Sequence, residues 1–301
     1  MIRPPSLIYN DKAVILSPSG CIDNQTVYNA FGILSQWGLN VEVSENALNV
    51  TGRFSGTVDQ RLHDLQSSID DPDTKLIICS RGGYGIVHLL DKLNFDKLKV
   101  NPKWIVGFSD ITALHAALLS KGFMSIHGPM AKHFADEGSE DVSIRFMKAI
   151  LAHQAVKYEI PVTRYRHLNR TGKVSGTLFG GNLSVFCGTI GSKLNKIPRN
   201  GILFIEDIGE EPYRVDRYIY QLKLAGVFER IGGLIIGQFT DFKEDETMYE
   251  SLYDSIASVV DTYSFPVCFD FPVGHVRLNF PMIIGNKATL SVDDQVIILK
   301  Q

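Results

Sequence analysis

The sequence predicts an α/β protein whose first half is a parallel sheet covered by helices. Two observations predict this fold. Short apolar runs alternate with helical patterns between residues 13 and 119, and polar or glycine-rich turns separate them. This alternation is typical of a parallel sheet, because parallel neighbours need a crossover that is usually a helix. After residue 176 short strands and glycine turns dominate, which indicates a second, β-rich unit.

Each element of the first half has its own start or stop signal. The first helical pattern ends at Gly38 and the second at Asp70-Asp71-Pro72, residue types that end helices. The apolar runs end in polar or glycine turns, and ligands of parallel sheets bind at these carboxyl ends. We expect strands at 13–16, 41–43, 75–79 and 104–107, and helices at 26–37, 57–69, 86–93 and 110–119.

The second half is expected to form a separate, smaller domain. A helix that begins near residue 136 ends at Ile150, and the polar, basic stretch after it predicts a crossover between domains. The predicted boundaries are 1–155 for the first domain, 156–175 for the linker and 176–301 for the β-rich domain. We expect strands at 201–205 and 231–239 and a helix at 216–224. We also expect a strand pair, 282–284 with 288–292, joined by the turn 285–287, and hairpin structure that ends with the run 295–299.

Composition excludes several classes of protein. Of the 301 residues, 45% are hydrophobic and 21% charged, which is typical of a folded globular protein. The net charge is −3 with scattered Lys and Arg, so we expect no nucleic-acid partner. No apolar run has the length of a signal-peptide core or a membrane span, which favours a cytoplasmic protein without membrane contact. The four cysteines lack a C-x-x-C pair and the histidines lack H-E-x-x-H, so we expect no metal and no cofactor.

Ser109 lies between an apolar run that ends at Gly107 and a helical pattern that begins at Asp110. A serine on a tight strand-to-helix turn exposes its hydroxyl beside the N–H groups of the helix start, which can stabilise negative charge. Gly107 matches the first glycine of the G-x-S-x-G pattern, and Ile111 stands where the second would be. The alternative role for a serine at such a junction is a helix N-cap.

A serine nucleophile needs a base, usually a histidine that a carboxylate orients. Glu206 follows the apolar strand at 201–205, and His275 lies in a loop after Pro272 and Gly274. The order serine, carboxylate, histidine is that of α/β-hydrolases, although here the last two come from the second domain. The alternatives are a loop carboxylate and an exposed loop histidine.

The glycine turn Ser80–Gly85 ends the strand at 75–79. It lacks both the G-x-G-x-x-G spacing and the P-loop pattern, which argues against nucleotide binding and against a dinucleotide-dependent oxidoreductase. Glycines at a strand end let backbone N–H groups approach a substrate closely. We therefore expect the N–H groups of Gly83 and Asp110 to form an oxyanion hole.

Six short blocks, in order along the chain, resemble those of the LD-carboxypeptidases, a family of serine peptidases that also includes the microcin-C immunity peptidases. The blocks are S-R-G-G-Y-G at 80–85, G-F-S-D at 107–110, H-G-P-M at 127–130, G-G-N-L-S at 180–184, E-D-I-G-E-E-P-Y-R-V-D-R at 206–217 and F-P-V-G-H at 271–275. The resemblance implies a flavodoxin-like N-terminal α/β domain and a smaller β-rich C-terminal domain, with the site in the cleft between them. It also implies a homodimer and a reaction without metal.

By this resemblance Ser109 is the nucleophile, His275 the base and Glu206 the orienting acid, with the oxyanion hole at Gly83 and Asp110. The implied substrate is a murein tetrapeptide, from which hydrolysis of an LD-peptide bond releases D-alanine. Its terminal carboxylate needs a cation or several N–H donors. The candidate cations are Arg81, Arg214 and Arg217, each of which has an ion pair as its alternative role.

Within the family, the alternative is hydrolysis of peptidyl or acyl-sulfamoyl adenylates, as in the microcin-C immunity peptidases. That activity calls for an aromatic residue to stack on adenine. The two tryptophans, Trp37 and Trp104, fall in a predicted helix and a predicted strand, so neither is an obvious platform. A third hypothesis is a protein that binds a peptide without hydrolysing it. Such a protein would lack a member of the triad, and all three residues are present in this sequence.

Overall fold

The computed structural model describes residues 1–162 and 164–301. Its strands are β1 (Lys12–Leu16), β2 (Asn40–Val43), β3 (Thr74–Cys79), β4 (Trp104–Gly107), β5 (Ser125–His127), β6 (Lys157–Pro161), β7 (Gly172–Asn182), β8 (Gly201–Ile208), β9 (Ile231–Thr240), β10 (Val267–Cys268), β11 (Met282–Ile284), β12 (Lys287–Val292) and β13 (Val296–Lys300). Its α-helices are α1 (Asn24–Gln36), α2 (Val58–Asp70), α3 (Thr112–Lys121), α4 (Ala131–Glu137), α5 (Val142–Leu151), α6 (Leu183–Thr189), α7 (Pro212–Leu224) and α8 (Leu252–Val260).

The first sheet confirms the predicted parallel α/β architecture. Its strand order is β11-β5-β4-β3-β1-β2, and every neighbouring pair is parallel except β11 with β5. Successive residues of a strand point to opposite faces, so each strand feeds two cores. In β1, Ile15 packs on the face that α1 covers, whereas Leu16 packs with α2 and α3 on the other. Helices therefore cover both faces, as expected.

Side-chain caps explain where the first two helices begin. The carboxylate of Asp23 accepts a hydrogen bond from the N–H of Thr26 and starts α1. Thr57 and Gln60 form a reciprocal capping box at the start of α2. Gly38, at φ +85°, turns the chain directly after α1. The helices predicted at 26–37 and 57–69 are thereby confirmed within two residues.

The second sheet is mixed. Its order is β10-β9-β8-β7-β12-β13-β6, with parallel pairing from β10 to β7 and antiparallel pairing from β7 to β6. Its apolar core is continuous with one core of the first sheet, since Ile15 and Phe204 belong to the same buried cluster. The two sheets consequently share one interior.

Two segments fold differently from the prediction because tertiary pairing outweighs the local pattern. Residues 156–175, the predicted linker, contain β6, whose Tyr158 is fully buried and whose backbone pairs with β13; residue 163 of that linker lies outside the described residues. The predicted pairing of 282–284 with 288–292 is wrong. The three buried residues of β11 pair with β5 and form one edge strand of the first sheet, whereas β12 forms the hairpin with β13.

Two predicted helices are also corrected. In place of a helix at 86–93 there is one 3₁₀ turn, Ile86–His88, because Asn94 exchanges two hydrogen bonds with the side chain of Gln66 instead of continuing the helix. The single helix ending at Ile150 is split in two, since Gly138 at φ +79° ends α4 and Asp141 caps α5. No helix of the described residues is long and apolar enough to cross a bilayer.

Candidate active site

The predicted elbow is present at Ser109. β4 ends at Gly107, Phe108 is extended, and Ser109 has φ +63°, an uncommon conformation for a residue with a side chain. A Cβ on Gly107 would lie 2.9 Å from the side chain of Ile111, so the glycine makes room for the isoleucine that replaces the second glycine of the motif. Among the hydrogen bonds of the described residues, none uses Ser109 Oγ. The serine is therefore not a helix cap.

Glu206 and His275 form a buried pair. Glu206 lies near the carboxyl end of β8 and is fully buried, and Nδ1 of His275 donates to its Oε2 at 2.8 Å. Since the carboxylate can only accept, this bond puts the imidazole proton on Nδ1 and leaves Nε2 free to accept a proton. Burial lowers the pKa of His275, but the charge and hydrogen bond of Glu206 outweigh it, and the net pKa is raised above 6.5.

A glycine allows the histidine loop to approach the carboxylate so closely. Gly274 has φ +126°, and a Cβ there would lie 2.8 Å from Oε2 of Glu206. The side-chain oxygen of the buried Asn279 accepts the N–H of Gly274 at 3.0 Å and fixes the loop. The orientation of His275 is thus set by the backbone of its own loop as well as by Glu206.

Two of the three residues predicted for the triad line one cavity. The cavity has a volume of ≈ 420 Å³, and Ser109 and His275 both line it. The ring of Phe108 packs on that of His275 with centroids 4.9 Å apart. No hydrogen bond joins Ser109 Oγ to His275 among the described residues. In serine enzymes this bond is often long until substrate binds, so the arrangement suits a nucleophile and base that align on binding.

The glycine turn lies against Ser109. A Cβ on Gly82 would lie 2.9 Å from Ser109 Oγ and 3.3 Å from the N–H nitrogen of Asp110. Gly83 follows at φ +108°, and within the described residues no backbone or side-chain acceptor takes its N–H. The unpartnered N–H of Gly83 thus follows directly after the residue that contacts Ser109, and an oxyanion hole needs such a donor.

Hydrogen bonds tie the elbow helix to the second sheet. Thr112, the first residue of α3, accepts the N–H of Asn182 at 3.0 Å. The side-chain amide of Asn182 donates to Asp207 at 2.7 Å, next to Glu206 in β8. Burial, and after it the charge of Glu206, raises the pKa of Asp207. The helix that follows Ser109 and the strand that carries Glu206 are therefore linked through Thr112, Asn182 and Asp207.

Two buried histidines lie behind the site. His115 Nε2 bonds the carbonyl of Gly107 at 2.8 Å and Nδ1 bonds Ser125 Oγ at 2.8 Å. Burial lowers the pKa of His115 to about 4, and burial also lowers that of His127 well below 6.5. The ring of His127 packs between Phe108 and Phe204. Both imidazoles are neutral in the folded protein at neutral pH.

Charged residues surround the mouth of the cavity. Arg81 lines it, and its guanidinium donates to the carbonyl of Cys21 at 3.1 Å. The lining also includes two ion pairs, Lys132 with Asp136 at 2.8 Å and Arg277 with Glu137 at 2.7 Å, of which the second joins the histidine loop to α4.

The other two predicted cations lie elsewhere. Among the described residues that line the cavity, neither Arg214 nor Arg217 is present; both lie over the ring of Tyr213, and Arg214 is 3.9 Å from Glu210. Trp104 is fully buried and Trp37 packs on Phe134, so neither tryptophan lines the cavity.

Sequence reasoning missed Phe108, Lys132 and Arg277. Phe108 and Arg277 lie one and two residues from predicted catalytic residues, and this closeness in sequence could have identified them. Nothing in the sequence could have identified Lys132, because a lysine in a helix is normally exposed. In the part of the chain that the structure describes, no group of three or more His, Cys, Asp or Glu side chains is arranged to hold a metal ion.

Two family models match the chain. The LD-carboxypeptidase N-terminal domain matches residues 14–128, and the LD-carboxypeptidase C-terminal domain matches residues 175–290. These ranges contain all the residues predicted for the triad and the oxyanion hole.

Individual relatives match nearly end to end. The murein tetrapeptide carboxypeptidase of Pseudomonas aeruginosa is 29% identical, over 93% of this chain and 92% of its own. The crystal structure of a muramoyltetrapeptide carboxypeptidase from Oxalobacter formigenes has a TM-score of 0.87 at 29% identity, covering 96% of this chain and 98% of that one. The microcin self-immunity protein MccF, solved in complex with aspartyl sulfamoyl adenosine, has a TM-score of 0.88 at 25% identity, covering 100% and 99%.

Proposed function

Because the chain belongs to the LD-carboxypeptidase family, we propose that it is a serine carboxypeptidase that releases a terminal D-amino acid from a peptide. The proposed substrates are the murein tetrapeptides of peptidoglycan recycling, and the product is D-alanine. Similarity to the Pseudomonas aeruginosa enzyme supports this substrate class. The observation that carries the chemistry is the buried bond between Glu206 and His275, beside a serine held at φ +63°.

Ser109 is the proposed nucleophile. Its Oγ attacks the carbonyl carbon of the scissile amide while Nε2 of His275 takes the hydroxyl proton. Nδ1–H keeps its bond to Glu206, whose charge stabilises the imidazolium. The C–N bond then breaks as Nε2 returns the proton to the amine of the departing D-alanine, which leaves an ester on Ser109. Water, deprotonated by the same imidazole, hydrolyses this ester and regenerates the serine.

The N–H groups of Gly83 and Asp110 are the proposed oxyanion hole. They would donate to the oxygen that becomes negative in the tetrahedral intermediate. The loss of one such donor costs on the order of a hundred- to a thousandfold in kcat. The contact of the glycine turn with Ser109 supports this assignment.

Arg81 is the proposed partner of the substrate's terminal carboxylate. It lines the cavity beside Gly82, and its bond to the Cys21 carbonyl leaves other guanidinium N–H groups for a ligand. The other two cations of the lining, Lys132 and Arg277, are already paired with carboxylates. Arg81 therefore ranks above Arg214 and Arg217 as the carboxylate-binding residue.

The decisive experiment is mass spectrometry of the protein incubated with L-Ala-γ-D-Glu-meso-diaminopimelate-D-Ala. The wild type is expected to release D-alanine, and Ser109→Ala is expected to release none, because no nucleophile remains. Ser120 also lies in α3, and its hydroxyl donates only to the carbonyl of Ala117. Ser120→Ala therefore serves as the matched control and should keep full activity. Release of D-alanine by Ser109→Ala would overturn the assignment of the nucleophile.

Hydrolysis of aminoacyl or peptidyl adenylates is the second candidate, because MccF is also similar along the whole chain. The absence of both tryptophans from the described lining favours the murein peptide. Aspartyl sulfamoyl adenosine, incubated under the same conditions, distinguishes the two. If the protein cleaves aspartyl sulfamoyl adenosine but releases no D-alanine from either the diaminopimelate or the lysine tetrapeptide, the adenylate is its substrate and not the murein peptide.

We further propose, from the family resemblance, that the protein works as a homodimer in the cytoplasm. Light scattering of the purified protein tests the first point, since a mass near 33.5 kDa would be that of a monomer. Cell fractionation tests the second.

A further inference from the structure

Three turns meet at the carboxyl end of the first sheet. They are the turn 17–20 after β1, the glycine turn 80–85 after β3 and the elbow at Ser109. The N–H of Gly20 donates to the carbonyl of Gly82 at 3.1 Å and joins the first two turns. The position of these two turns against the elbow determines where the N–H groups of the proposed oxyanion hole point.

The side chain of Asp110 lies at the junction of all three turns. Its Oδ2 accepts the hydroxyl of Ser19 at 2.6 Å and the N–H of Ile86 at 2.9 Å. Ser19 belongs to the first turn, and Ile86 directly follows the glycine turn. Asp110 is 4% exposed, so its carboxylate has left water and needs these donors and a compensating positive charge.

Arg61 supplies that positive charge from α2. It is 2% exposed, and its Nη1 donates to the carbonyl of Pro18 at 2.8 Å and to that of Gly85 at 2.9 Å. Burial lowers the pKa of the guanidinium, and the charge of Asp110 opposes this lowering. Arg61 thus binds the same two turns that the Asp110 carboxylate binds.

The glycine turn has little stiffness of its own. Three of its six residues are glycines, which no side chain restricts to one backbone conformation, and Gly83 and Gly85 have φ +108° and +131°. A Cβ on Gly85 would lie 2.7 Å from Nη1 of Arg61, so the guanidinium occupies the space beside this glycine. The hydrogen bonds from Arg61 and to Asp110 therefore replace the stiffness that the residues of the turn lack.

We propose that Arg61 is a positioning residue for the oxyanion hole: together with the Asp110 carboxylate it holds the turns 17–20 and 80–85, and so fixes the N–H of Gly83 beside Ser109. This inference rests on the proposed serine-peptidase function and adds to it a residue that does not touch substrate. Its loss weakens binding of the transition state and leaves binding of the substrate unchanged, so kcat falls while KM stays the same.

Lys103 provides a matched control. It is 2% exposed like Arg61, and its Nζ donates to the backbone carbonyls of Ser68, Ile69 and Asp71. It therefore binds the C-terminal end of the same helix α2, but it precedes β4 and lies at the opposite end of the sheet from the site. Lys103→Met removes a buried cation with its carbonyl bonds and leaves the three turns intact.

The test compares Arg61→Met, Arg61→Lys and Lys103→Met in two assays. The first is steady-state release of D-alanine. The second is the rate at which a fluorophosphonate labels Ser109, followed by intact mass; this reaction needs the oxyanion hole but no peptide. For Arg61→Met we expect both kcat and the labelling rate to fall on the order of a hundredfold, the loss that an ångström of misplacement causes, with KM within about twofold. Arg61→Lys should recover part of both.

Lys103→Met should unfold at lower denaturant concentration but keep the wild-type kcat and labelling rate. Should Arg61→Met not fold, Ser19→Ala replaces it; removal of one donor to Asp110 should slow labelling roughly tenfold.

Wild-type labelling and kcat in folded Arg61→Met would overturn the inference, as would equal losses in Lys103→Met. Labelling of the wild type without D-alanine release would disprove the substrate assignment only, and the labelling rates would still decide the role of Arg61. A wild type whose Ser109 does not react and that releases no D-alanine would overturn both the proposed function and this inference. If D-alanine is released without labelling, the kcat of Arg61→Met alone decides the role of Arg61.

Discussion

The reactivity proposed for Ser109 depends on its backbone more than on its side chain. A φ of +63° costs a non-glycine residue on the order of 1–3 kcal/mol, and this strain persists because β4 and α3 hold both sides of the turn. His115 contributes by bonding the carbonyl of Gly107. The hydroxyl is consequently directed into the cavity and not toward the amides of its own helix.

The raised pKa of His275 predicts the pH dependence of activity. The base acts only when neutral, so kcat/KM should fall as the pH drops through the pKa of His275, and this acid limb should lie above pH 6.5. In Glu206→Gln the carboxylate that raises the pKa is gone while burial still lowers it. The limb should therefore move to lower pH, and kcat should fall at least ~100-fold.

A pH–rate profile of kcat/KM for both proteins measures this shift. An acid limb at the same pH in wild type and Glu206→Gln would contradict the assignment of His275 as the base that Glu206 orients.

Individual site residues were predictable where the sequence marks them locally. Ser109 and Glu206 follow apolar strands, and His275 follows a Pro and a Gly, so each stood out. Their convergence was not predictable from spacing, because it depends on how two sheets pack. Nothing in the sequence pointed to Arg61, because an arginine in a helix is normally exposed. Its role depends on its burial beside two turns, which the local sequence does not show.

At the scale of elements, the close contact of β7 with α3 sets the position of Ser109 relative to the second sheet. Gly181 has φ +137°, and a Cβ there would lie 2.5 Å from Thr112 Oγ1. Gly181→Ala should therefore destabilise the protein by roughly 2 kcal/mol and lower kcat, because it separates Thr112 from the N–H of Asn182.

Gly188 is the matched control for this substitution. It lies in α6 with no atom within 4 Å of an added Cβ, so Gly188→Ala should stabilise the protein by about 0.5–1 kcal/mol through helix propensity. Urea unfolding together with kcat tests both variants. Equal stability of the two alanine variants would show that the contact with Thr112 has no energetic weight.

Elements with strong local signals were predicted well, and those fixed by distant partners were not. The stop signals read from the sequence, Gly38 and Asp70-Asp71-Pro72, lie within two residues of the ends of α1 and α2. Residues 282–284 carry only three apolar side chains. This pattern fits a strand of a hairpin and a buried strand at the edge of a sheet equally well. The choice between the two depends on pairing with β5, which is far away in the sequence.

For the whole molecule, buried neutral histidines predict that stability decreases in acid. The pKa of His115 is about 4 in the folded protein against 6.5 when exposed, so below pH 6.5 the unfolded chain binds a proton that the folded chain does not. This contribution to stability is complete above pH 6.5 and is lost as the pH falls toward 4. It amounts to roughly 3 kcal/mol.

Urea unfolding at pH 7 and pH 4.5 measures this loss, with His115→Gln as the variant that cannot titrate. The wild type should lose more stability over this interval than the variant, although the variant starts lower because Gly107 and Ser125 lose their partner. A larger loss in the variant would mean that His115 is already charged in the folded protein.

The pairing of β11 with β5 has a consequence for how the protein is made. A chain leaves the ribosome with its amino terminus first, so β5 remains an open edge until residues 282–284 have been synthesised. Until then the unpaired backbone groups of β5 are available to a chaperone or to another nascent chain. The first sheet is thus completed by a strand that is translated after β6–β10, and its edge at β5 needs protection while residues 128–281 are synthesised.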